Sequence, residues 1–201
     1  MEFGAYWNVF SKHSYAPHTG KKETLEQAYK RANTKLLEAT SSAAMTEIED
    51  YTWKGVPMVI TEFGVWNSPL NGIYSSIYNI EYVMRQLAHT NTQYVGAHEV
   101  SNKYYPAKGN GKVVENAFEN NLKIETDTVL TGIRRDLEGK AYKIYNEAVN
   151  NSEYLYTVEI SDNVQVEGLK NTKVNGMFAQ SYKGNNGFNY LVISNRSEVS
   201  N

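Results

Sequence analysis

Over roughly the first 150 residues short apolar runs alternate with stretches of helical period, and after them only strand-type runs follow, which divides the chain near Asn150-Asn151. Residues 5–10 (Ala-Tyr-Trp-Asn-Val-Phe) predict a strand, with Pro17 ending the segment that follows. From Lys21 to about Trp53 the spacing predicts helix in two pieces. Leu25, Ala28, Tyr29, Ala32, Leu36 and Leu37 share one face of the first, and Ala44, Met45, Ile48 and Tyr51 mark the second. Gly55 closes this region, and 56–62 reads as a strand. Ser-Pro and Asn-Gly mark a loop over 67–72. A helix over 73–89 carries Ile73, Ile77, Ile80, Met84 and Leu87, and 93–100 reads as a third strand. Residues 101–127 read as a long polar loop and 128–149 as a last helix. Beyond it the runs 154–160, 164–169, 174–182 and 188–194 are β-type, separated by Asn/Gly turns.

Three strand–helix units in a row predict parallel strands, and the later runs an all-β module, so the fold class is α/β plus all-β. Three strands leave both edges of a sheet open. Four short strands are thin for a sandwich, which usually has about seven. The expectation is that the 201 residues are the middle of something larger, with 1–150 in one unit and 151–201 opening another.

The most informative stretch is Val56-Pro57-Met58-Val59-Ile60-Thr61-Glu62-Phe63-Gly64-Val65-Trp66. A short run rich in Val and Ile predicts a strand buried on both faces. Glu62 then stands at its carboxyl end, where α/β folds place their chemistry. Desolvating a carboxylate is costly unless it is paired, so Glu62 either meets a cation or has a function.

Composition narrows the classes. A net charge of −2 gives no cue for nucleic acid or an anionic membrane, and neither is expected as a partner. No run approaches the roughly 18 apolar residues of a membrane span. Met1-Glu2-Phe3-Gly4 has neither a charged nor an apolar leader region, so no signal peptide is expected in this chain, and a secreted or periplasmic parent protein stays open. Without cysteine there is no disulfide and no thiolate metal site. The four histidines lack His-x-x-x-His spacing, so neither metal nor cofactor is expected. The 16 tyrosines are the unusual count, and such rings suit both wet clefts and core margins.

At Ile60-Thr61-Glu62-Phe63-Gly64 and His13-Ser14-Tyr15 the chain resembles the C-terminal part of clan A glycoside hydrolases, retaining enzymes on a (β/α)8 barrel. Lys143-Ile144-Tyr145-Asn146-Glu147 resembles the final barrel helix of α-L-arabinofuranosidases, with agarases and porphyranases the next resemblance. The resemblance implies barrel strands six to eight over 1–150 and the start of a β-sandwich over 151–201. It implies that Glu62 is the nucleophile closing strand seven, that His13 and Tyr15 line the same cleft, and that the substrate is a plant or algal polysaccharide or oligosaccharide. It also implies a general acid/base in an Asn-Glu pair after strand four. Asn146-Glu147 is such a pair in the wrong place, so this chain alone is expected to be inactive. A missing N-terminal barrel half is then the implied partner.

Retaining hydrolysis needs two carboxyl groups about 5–5.5 Å apart, one attacking and one cycling a proton. Tyr15 is placed to donate to Glu62 and keep it ionised, and His13 to bond a sugar hydroxyl or the carboxylate. Trp66 offers an apolar face to a sugar ring, or packs its loop. His98 and Glu99 alternate on a strand, so one of them faces the cleft; His98 is the candidate, and Glu99 reads as an outward ion-pair partner. Two other readings stay open. One is a non-catalytic carbohydrate-binding module that uses the tyrosines and Trp66. The other is a structural α+β domain in which an Arg or Lys pairs Glu62.

Overall fold

The structure, a computed structural model, describes residues 9–15, 23–39, 57–64, 70, 73–88, 92–96, 104–106, 133–135 and 137–197. Strands β1 (Phe10–Tyr15), β2 (Met58–Gly64) and β3 (Thr92–Val95) form one parallel sheet in the order β1-β2-β3. Helix α1 (Leu25–Ala39) follows β1 and α2 (Ile73–Leu87) follows β2, which is the predicted βα alternation. Among the described residues the sheet does not close into a barrel.

The boundaries differ from expectation in ways that have physical causes. The first described strand is Phe10–Tyr15, which runs past the predicted end at residue 10 because it continues to pair with β2; residues 5–8 of that prediction lie outside the described residues. Helix α1 starts at Leu25 rather than Lys21. Thr24 caps it, its hydroxyl accepting from the Gln27 N–H at 3.2 Å while the Gln27 side chain accepts from the Thr24 N–H at 3.0 Å. Leu25 is consequently exposed, and Ala28, Ala32 and Leu36 carry the buried face. The stretches predicted as a loop and a helix contain an antiparallel pair, β4 (Tyr104–Pro106) and β5 (Ile133–Arg135), and the last helix, α3 (Leu137–Asn150), begins only after it.

The region after residue 150 is all-β, as expected. Strands β6 (Ser152–Val158), β9 (Met177–Gly184) and β10 (Asn189–Asn195) form an antiparallel sheet in the order β10-β9-β6. The predicted run 174–182 is two strands, because Gly176 separates β8 (Lys173–Asn175) from β9, and β8 pairs with β7 (Gln165–Glu167). A Cβ at Gly176 would lie 2.9 Å from the Val164 carbonyl oxygen, so the bend needs glycine.

One apolar core runs through both regions, from Leu36, Met58, Ile60, Phe63, Tyr82 and Met84 to Tyr145 and Tyr182. Polar contacts stitch its far end. The Gln180 side chain donates to the Met84 carbonyl at 2.5 Å, the Tyr182 hydroxyl donates to Gln180 at 2.7 Å, and the Tyr145 and Tyr182 hydroxyls meet at 2.9 Å. Helix α2 is enclosed on most sides. Ile80, Tyr82, Val83 and Met84 are buried, and so are Ser76, Asn79, Glu81 and Gln86, whereas Ile73 at its start is exposed. No described helix is long and apolar enough to cross a membrane.

Candidate functional site

The site is made by a register shift. Phe10, Ser11 and Lys12 stand opposite Met58, Val59 and Ile60, but His13 stands opposite Glu62, so Thr61 is an extra residue in β2. Alternation along the regular strand β1 then assigns the faces. Met58, Ile60 and Phe63 share one face with Phe10 and Ser14; Val59 and Glu62 share the other with His13 and Tyr15. Burial agrees: Met58, Ile60 and Phe63 are buried, while Val59 is only partly covered and His13 is exposed. The strand is therefore buried on one face among the described residues, not on both as its composition suggested. A bulge of this kind re-aims a side chain, and here it lets three large apolar residues stay in the core while Glu62 turns away from it.

On that second face the three predicted residues meet. The Tyr15 hydroxyl donates to Glu62 Oε2, and His13 Nδ1 lies 3.4 Å from the same oxygen. The Glu62 side chain is 35% exposed, which keeps it solvated at the open end of a parallel strand. The His13 and Tyr15 rings lie edge to face, 6.5 Å between centroids. Two polar groups from the neighbouring strand thus fix one carboxylate in place. Trp66 and His98, and with them Glu99, lie outside the described residues. Among the described residues no group of three or more His, Asp or Glu side chains is arranged to hold a metal ion.

The opposite face supplies the support. The Phe63 ring stacks on Tyr82 of α2, 4.9 Å between centroids and 20° between planes. The Tyr82 hydroxyl is buried and makes no hydrogen bond of normal geometry among the described residues. Burial pushes that hydroxyl up to about 12. The preceding residue, Glu81, is fully buried and paired with two guanidinium groups. Arg85 donates at 2.9 Å, and Arg196 donates to both carboxylate oxygens at 2.6 and 3.0 Å, with Ser194 adding a hydroxyl at 2.7 Å. Arg196 also donates to the Asn175 carbonyl at 2.6 Å and to the Asn33 side chain. Sequence reasoning missed this group. Its only trace in the sequence is a glutamate next to Ile80 and three residues before Met84, within an otherwise apolar stripe.

Such an architecture, a parallel βα sheet ending in a carboxylate and followed by an antiparallel module, is glycoside hydrolase-like in fold. The particular likeness is to a family 51 α-L-arabinofuranosidase from Bifidobacterium longum, with a TM-score of 0.61 and 13% identity. The match takes in 94% of this chain and 39% of that one, so the chain spans well under half the length of the structure it resembles. No family model matches the sequence, and no curated protein matches it.

Proposed function

We propose that this chain is part of a retaining glycoside hydrolase of the α-L-arabinofuranosidase type, acting on plant or algal polysaccharide or its oligosaccharides. In this reading residues 1–150 supply strands six to eight of a (β/α)8 barrel and 151–201 open its β-sandwich. Glu62 is the nucleophile. The observation that carries the reading is the Glu62 carboxylate at a parallel strand end, held on Oε2 by Tyr15 and His13 and still in contact with solvent.

The chemistry assigns the roles. Glu62 attacks the anomeric carbon and forms a glycosyl ester while the aglycone oxygen takes a proton from a second carboxyl group. Tyr15 holds the attacking carboxylate in its ionised, oriented form, and His13 contacts the carboxylate or a sugar hydroxyl. Trp66 and His98 are assigned to substrate binding. The acid/base belongs to barrel strands beyond these 201 residues, so the chain alone does not turn over. Its natural partner is the rest of the barrel, which would also cover the open sheet edges.

The test is an assay on aryl arabinosides, xylosides and galactosides. The chain is used alone and mixed with a polypeptide carrying the first five βα units of an arabinofuranosidase. Turnover is expected only in the mixture, and not with Glu62→Gln. Activity of the chain alone would remove the divided-carboxylate reading, and a mixture indifferent to Glu62→Gln would remove Glu62 as nucleophile.

A second reading, a carbohydrate-binding module, draws on a different observation. Tyr154 and Tyr156 are about half exposed and two apart on β6, hence on one face of the antiparallel sheet. Sugar titration followed by intrinsic fluorescence separates the two. Binding lost in Tyr156→Ala and unchanged in Glu62→Gln would favour the module.

A further inference from the structure

We propose that Tyr82 is a positioning residue for the strand-end cluster, and that the antiparallel module holds it there through Arg196 and Glu81. The proposal takes Glu62 as the working carboxylate, which is the reading given above.

The argument rests on which residues Tyr82 underlies. Phe63 and Ser14 are register partners, one on each of the two strands that build the site. Each is the chain neighbour of a site residue: Phe63 follows Glu62, and Ser14 lies between His13 and Tyr15. Because neighbours on a strand point to opposite faces, whatever fixes Phe63 and Ser14 from behind fixes Glu62, His13 and Tyr15 in front. Tyr82 lies directly behind this pair, with its ring flat on Phe63 at 4.9 Å between centroids. It is fully buried, and Tyr78 stacks on it with 6.4 Å between centroids.

The position of Tyr82 is in turn set from the far module. Its neighbour Glu81 cannot leave the Arg196 guanidinium without stranding a buried charge. Arg196 lies just past β10 and is anchored to Asn175 and Asn33, so it ties α2 to β8 and to α1 at once. Arg85 also stands over the Phe178 ring of β9 at 4.4 Å from its centroid, which adds a second tie between α2 and the same sheet. A shift of the antiparallel sheet against α2 would therefore move Tyr82, and with it the pair of strands whose ends carry the cluster.

The test measures coupling rather than stability. In the 201-residue chain the Glu62 carboxyl carbon is followed by NMR at neutral pH, with and without Tyr15→Phe. Removing the Tyr15 hydroxyl shifts that resonance in the parent protein. The proposal expects the shift to be lost in a Tyr82→Leu background, kept in Tyr82→Phe, which retains the ring, and kept in Tyr145→Leu, a comparably buried change whose ring packs on Tyr182 instead. Phe63→Leu removes the same stack from the other side and serves if Tyr82→Leu does not fold. Retention of the Tyr15 effect in either Tyr82→Leu or Phe63→Leu overturns the proposal, as does its equal loss in Tyr145→Leu. The readout involves no sugar, so it can fail while the glycosidase assay succeeds, and the reverse.

Discussion

At the scale of single residues, two carboxylates in this chain have opposite environments. Glu62 is partly solvated and held by a hydroxyl and an imidazole, an arrangement that leaves its charge available to a ligand. Glu81 is fully buried and its charge is used up by Arg85 and Arg196. A buried pair contributes little net stability compared with an apolar replacement, but removing one partner is expensive because the other charge is left desolvated. Arg196→Met is therefore expected to destabilise the fold by about 3 kcal/mol, at the lower end for such changes because Arg85 remains beside Glu81. The double change Arg196→Met with Glu81→Met should recover most of that loss, as read from urea unfolding midpoints. Losses that simply add in the double variant would show that the two side chains do not act as a pair. Tyr82→Phe is the contrasting case. It deletes a buried hydroxyl that has no hydrogen bond of normal geometry, so the unfolding midpoint should stay within about 1 kcal/mol of the parent or rise.

At the scale of elements, the ends are set by chemistry more specific than periodicity. Helix α1 owes its start to the reciprocal Thr24 and Gln27 bonds, so Thr24→Ala should cost about 1 kcal/mol in thermal or urea unfolding, and Thr24→Ser far less. That cap is written in the sequence as Thr-x-x-Gln, a signal that helical periodicity alone does not carry. The order β-α-β-α-β and the switch to an all-β region were legible because each rests on a period repeated over many residues. So was Glu62, a carboxylate after Val-Ile, whereas His13 and Tyr15 beside it came from the resemblance and not from the pattern of the chain. The bulge at Thr61 was not legible. Met58, Ile60 and Phe63 share a face only if one residue is skipped, and strict alternation would have set Glu62 beside Ile60. The β4–β5 pair was hidden because its strands are distant in sequence, and the split at Gly176 because a glycine inside a β-type run does not by itself say that the two halves pair with different strands. The Glu81–Arg196 pair, separated by 115 positions, had no local signature at all.

At the scale of the whole molecule, the shared core makes a prediction about cooperativity. Tyr78 and Tyr82 lie under the parallel sheet, while Tyr145 and Tyr182 join α3 to the antiparallel one, and all four belong to one cluster. Burial raises each hydroxyl above its ordinary value, Tyr82 and Tyr182 to about 12 and the other two further. A tyrosine in the unfolded chain ionises near 10. A raised folded value means that the protonated form is favoured by folding, so the contribution is complete below about pH 10 and is lost as pH rises towards 12. Each such tyrosine removes up to about 1.4 kcal/mol per pH unit in that window. Four acting together remove up to about 11 kcal/mol between pH 10 and 12, comparable to a typical stability of about 5–15 kcal/mol. The chain should accordingly stay folded to about pH 10 and then unfold in one alkaline transition. Tyrosinate absorbance from the buried rings should appear together with the loss of helical circular dichroism. Two separated transitions would mean that the parallel and antiparallel regions unfold independently, and buried tyrosines that ionise while the helices persist would mean that their burial is not what holds the two regions together.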